Sequence, residues 1–185
     1  MKSKLFLIAL TMVLSFSSCE NEGVFNDEIL EQLKDPAEGC ETAFAYAKDG
    51  CFRDDGFKRW GWHVGPITAP YSETHDLYAG AGKCETSKGE IVGSVSIVYM
   101  DDYVVVEYQT NGEWMLYETH LYVGNDPYPL KPNGQQTVAP GQYGNSDSFD
   151  EGESYDDYKI DDVSGELYII AHAVVCPKKD ADEPN

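Results

Sequence analysis

The sequence predicts an all-β protein, an antiparallel β-sandwich stapled by disulfides behind a short N-terminal helical tether. Three observations carry this expectation. Successive segments alternate apolar and polar side chains, the period of a half-buried strand. The chain of 185 residues contains 13 Tyr, 17 Gly and 9 Pro, a composition suited to strands joined by tight turns. Four cysteines follow the leader region, Cys40, Cys51, Cys84 and Cys176, and an even set in an exported chain favours two disulfides.

The leader is read first. Lys2 and Lys4 form a basic region, Leu5 to Leu14 an apolar stretch too short to span a bilayer, and Ser15 to Ser18 a small-residue cleavage region interrupted by Phe16. Cys19 follows directly, in the manner of a relaxed bacterial lipobox. Residues 1–18 are therefore expected to be a lipoprotein signal peptide, with Cys19 lipidated and its acyl chains supplying the anchor. Residues 19–39 read as the tether. Glu20 and Glu22 match either a surface-export signal or a solvated spacer. Asn26 or Asp27 can cap a short helix carrying Ile29, Leu30 and Leu33 on one stripe, and Pro36 ends it.

The domain proper is expected over 40–177, with a disordered tail at 178–185. Strands are expected at Thr42 to Ala47, Phe57 to Trp62 and Asp76 to Gly80. A three-stranded antiparallel meander follows at Ile91 to Met100, Tyr103 to Gln109 and Trp114 to Val123. Asn111-Gly112 is its second turn, because a type I′ hairpin needs positive φ at both central residues. Leu167 to Val175 is apolar on both faces apart from His172, the pattern of a strand covered on both sides. No βαβ alternation or internal repeat is present. Three disulfide pairings are open. Cys40 with Cys176, tying the two ends of the domain, and Cys51 with Cys84 are favoured.

Several segments taken in order carry a resemblance: Cys40 followed by ETAFAY, CF at Cys51, RWGW from Arg59, LYAGAGKCETSKG from Leu77, ETHLYVGNDPYP from Glu118, TVAPGQY from Thr137 and YIIAHAVVC from Tyr168. Together they resemble an uncharacterised module of secreted Bacteroidota proteins, found singly in lipoproteins and within larger surface proteins. The resemblance covers essentially the whole globular part. It implies an extracellular β-module with its cysteines paired, and it implies no catalytic assignment. The acidic stretch after Gly144 is longer and more charged here than in that family.

The chain has 33 acidic and 13 basic residues and a formal charge of −20, which excludes binding to nucleic acid through phosphate contacts. Four candidate sites remain. Trp60 and Trp62 alternate around Gly61; exposed, they would form a platform for sugar rings with Arg59, His63 and Tyr71 beside it, and buried they are core. Glu118, His120 and His172 would form a buried polar cluster, a metal site completed by His63 or His75, or an acid/base pair. Asp147, Asp150, Asp156 and Asp157 belong to a run of eight carboxylates ending at Asp162. That composition suits calcium but fails the EF-hand spacing, and a solvated acidic loop is the plainer reading. Tyr128 and Tyr143 lie on a long Pro- and Gly-rich loop, either as contact residues, since recognition residues commonly sit on loops, or as pins that hold the loop to the sheet.

No nucleophile elbow, zinc-protease helix, phosphate loop or dinucleotide fingerprint occurs, and no cysteine has a motif partner for catalysis. The resulting expectation is a non-enzymatic, lipid-anchored binding module of the outer membrane, surface-exposed or periplasmic. Its expected partner is a glycan or other surface polymer. The alternatives are a structural or adhesion component engaging an envelope protein, and a hydrolase using Glu118, His120 and His172.

Overall fold

The computed structural model describes residues 39–178. The leader, Cys19 and the expected helix at Asn26 to Lys34 lie outside the described residues. Nine strands follow in chain order: β1 (Glu41–Ala45), β2 (Val64–Ile67), β3 (Tyr71–Ala79), β4 (Glu90–Met100), β5 (Tyr103–Thr110), β6 (Trp114–Gly124), β7 (Asn145–Glu153), β8 (Tyr155–Asp161) and β9 (Leu167–Pro177). All pairings are antiparallel. The sheet runs β7-β6-β9-β1-β3-β4-β5-β8, with β2 paired to β9.

The expected sandwich is replaced by one continuous sheet coiled until it is nearly a barrel. The alternation of side chains explains how it can close. Ala43 and Ala45 on β1, Ala79 on β3, and Ala171 and Ala173 on β9 line the concave face, and small side chains on adjacent strands permit tight curvature. The space they leave is filled from the opposite wall by Tyr99, Tyr108, Val104 and Val106. The Tyr108 hydroxyl crosses the interior and donates to the carbonyl of His120 (3.1 Å). Large residues facing small ones are how a narrow barrel reaches close packing.

The convex face carries a second apolar layer. Phe44 and Ile170 of the sheet pack there against Phe52 and Trp62 from the segment 46–62 and Tyr128, Val138 and Tyr143 from the segment 126–144. Strand β9 therefore has apolar side chains on both faces, Ile169, Ala171, Ala173 and Val175 inward and Ile170 outward, as its sequence predicts. The two disulfides pair Cys40 with Cys176 and Cys51 with Cys84.

Three expectations are corrected. Phe57 to Trp62 is no strand; only Trp62 makes an isolated bridge, to Cys51. Gly61 has φ +141°, and a side chain built there would lie 2.5 Å from the Phe52 ring, so the segment folds as a close-packed turn. The acidic stretch is no loop but forms β7 and β8. The three-stranded meander is broken after β5, because β5 pairs with β4 and β8 while β6 pairs with β7 and β9. The type I′ turn expected at Asn111-Gly112 does not form: Gly112 has φ +90°, but Asn111 is not among the positive-φ residues, and Asn111 is tied to β4. Its amide N–H donates to Val92 (2.9 Å) and its side chain to Ile91 (3.1 Å). The chain thus leaves β5 at a corner and crosses to the far side of the sheet.

Strands β7 and β8 meet at Ser154 without pairing to one another, so the break in the barrel lies between them. The break is bridged from within. Thr119 on β6 donates to Asp156 on β8 (2.5 Å) and its hydroxyl contacts that of Tyr158 (2.6 Å).

Candidate functional site

Strand alternation directs Glu118 and His120 from β6, and His172 from β9, to the convex face. His120 and His172 are direct cross-strand partners, and their Nδ1 atoms are 3.2 Å apart. Such a contact needs one Nδ1–H donor and one bare Nδ1 acceptor, so the neutral pair holds opposite tautomers. Glu118 Oε2 lies 4.0 Å from His120 Nε2, with the two side chains 23% and 15% exposed. His172 is fully buried, and burial pushes its pKa well below the ordinary value of 6.5, with His120 and the Arg59 cation adding to the depression.

The next residue in the row is Phe44, paired with His172 across β1 and β9 and with its ring 4.8 Å from the imidazole. Trp60 stands edge-on against Phe44 at 5.3 Å and is half-buried, while neighbouring Arg59 is exposed. Two groups that the sequence offers separately, Arg59 with Trp60 and Glu118 with the two histidines, are thereby joined through Phe44 into one patch at the rim of the convex aromatic layer. Phe44 itself was not among the expected site residues. Its signal was present, since alternation in Thr42 to Ala47 sets Phe44 opposite Ala43 and Ala45.

The remaining candidates are placed elsewhere. Trp62 is 2% exposed and meets Trp60 at 77°, so the two indoles form no flat platform. Tyr128 and Tyr143 are 2% and 3% exposed and pin the long loop to the sheet instead of presenting it. Tyr143 donates to the Val138 carbonyl (3.0 Å) and Tyr128 to Asp55 (2.6 Å). Burial, followed by that bond to Asp55, raises the Tyr128 pKa. Tyr71 contacts Glu73 (3.0 Å) and His75 (2.9 Å) on its own strand.

His63 lies buried between Tyr128 and Tyr168 with Nε2 4.0 Å from Asp55 and Nδ1 without a hydrogen-bond partner. Burial lowers its pKa, against the opposing pull of Asp55.

Among the described residues no group of three or more His, Cys, Asp or Glu side chains could hold a metal ion. Asp147, Asp150, Asp156 and Asp157 are accordingly not gathered into such a group. The strands explain it: alternation along β7 and β8 sends neighbouring carboxylates to opposite faces. Asp156 turns to Thr119, and desolvation raises its pKa, while Asp157 is exposed opposite Glu107 of β5. Glu118, His120 and His172 likewise form no such group among the described residues.

Comparisons with protein-family models, curated proteins and solved structures return no match.

Proposed function

We propose that this chain is an exported, lipid-anchored module of the outer membrane that binds a neutral glycan or other surface polymer without reacting with it. The observation that carries the reading is the half-buried Trp60 at the edge of the aromatic layer, with exposed Arg59 beside it and the Glu118–His120 pair in the same patch. An indole presents an apolar face to the C–H face of a sugar ring, and flanking charged groups take its hydroxyls. The formal charge of −20 disfavours anionic polymers. Two disulfides suit an oxidising compartment outside the cytoplasm, and Cys19 supplies the anchoring position.

The test is an array of plant, algal and host glycans probed with the wild type and with Trp60→Ala. Binding that falls at least tenfold in Trp60→Ala, with the near-ultraviolet circular dichroism of the remaining aromatics retained, is the expected outcome. An array without signal would remove the reading.

A further inference from the structure

A groove of about 260 Å³, open to solvent, lies at the end of the barrel where β1, β4 and β6 begin and β3 ends. Trp114 forms one wall. Its inner part packs on the barrel core, and its indole N–H donates to the Glu90 carboxylate (3.4 Å), which fixes the tilt of the ring. The facing wall turns at Gly80, whose φ of +64° suits glycine. A side chain built there would meet only the Glu41 carboxylate, at 3.7 to 3.9 Å. The groove thus has backbone on one side, an indole on the other, and two carboxylates, Glu41 and Glu90, at its edges.

Lys88, the cation on this rim, is paired with Glu85 at 2.7 Å, so the local field stays negative. The walls are also held in place. Cys40, next to Glu41, is bonded to Cys176, and Trp114 is in register with Pro177 immediately beyond it.

We propose that this groove is a second carbohydrate subsite, which takes one neutral sugar ring against Trp114 with vicinal hydroxyls donating to Glu41 and Glu90. The proposal rests on the glycan reading above for its ligand class and goes beyond it in position. The volume falls below the usual 300–1,000 Å³ of sites that engulf a whole ligand, so a single ring fits while the rest of a chain runs on into solvent. Carboxylates accept hydrogen bonds and repel anions, and pre-set walls reduce the ordering cost of binding.

The experiment titrates the full chain with neutral cello-, xylo-, manno- and laminari-oligosaccharides and compares wild type, Trp114→Ala, the double variant Glu41→Ala/Glu90→Ala, and Trp60→Ala. The expected result is at least a tenfold loss of affinity in Trp114→Ala and in the double variant. Both carboxylates are exposed, so the double variant keeps the question decidable if Trp114→Ala fails to fold. Unchanged binding in the double variant, with loss in Trp60→Ala, would overturn the groove and leave the glycan reading standing. No binding by the wild type overturns both. A response to tetramethylammonium without any response to sugars reassigns the groove to cations and overturns the proposal.

Discussion

His172 shows how one buried residue ties this fold to pH. Its pKa in the folded protein lies below its ordinary value because burial, then His120 and Arg59, oppose the charged form. As pH falls, the unfolded chain therefore takes up this proton before the folded one does. The contribution to stability is complete above about pH 6.5 and is lost on acidification toward the folded pKa, at up to about 1.4 kcal/mol per pH unit for each such group. His63, also depressed by burial, adds in the same direction. Urea unfolding between pH 7.5 and 5 should show a falling midpoint, with a shallower slope in His172→Gln. An unchanged slope in that variant would mean that His172 is not the titrating group.

At the scale of the element, the break between β7 and β8 is where the fold depends on a few polar atoms. Thr119 has no exposed surface and serves both Asp156 and Tyr158. Thr119→Val keeps the shape and removes the hydroxyl, leaving two part-buried groups short of a partner. The expected cost is about 1–3 kcal/mol, measured by chemical denaturation, with faster amide exchange along β8. A neutral substitution would show that water replaces the hydroxyl.

How plainly each strand shows in the sequence depends on what its buried face carries. Strands β4, β5 and β9 were legible because Val95, Ile97 and Tyr99, then Val104, Val106 and Tyr108, and the apolar run of β9 announce their buried faces directly. Strands β7 and β8 were not, because their inward positions include Asp156 and Tyr158, polar residues that satisfy a hydroxyl on β6. The separation of β5 from β6 was hidden for another reason. Turn chemistry at Asn111-Gly112 is local, whereas the partner of each strand is decided by distant register. At the candidate site, the cross-strand approach of His120 and His172 could be suspected from their faces. Their meeting with Trp60 depends on a loop whose path follows from Gly61 packing on Phe52.

Over the whole molecule, 33 acidic against 13 basic residues make self-repulsion a general term in stability. Screening shortens its reach, from a Debye length of about 30 Å at 0.01 M salt to about 10 Å at 0.1 M. Raising sodium chloride from 10 to 500 mM should raise the melting temperature by several degrees. Because no three His, Cys, Asp or Glu side chains among the described residues are gathered for a metal, calcium chloride at matched ionic strength should give no more than sodium chloride does. An additional calcium-specific rise would point to carboxylates that rearrange around the ion.

The Cys40–Cys176 bond spans a sequence separation of 136 residues and joins the position just before β1 to the end of β9, a strand with neighbours on both sides. Tension entering the chain ahead of Gly39 meets this covalent link before it reaches any hydrogen-bonded ladder. The load then passes into the middle of the sheet, where β9 is gripped by β1 and β6, and β1 is spared from being peeled away one bond at a time. A domain tethered at that end can be pulled by whatever it holds and keep its strands in register.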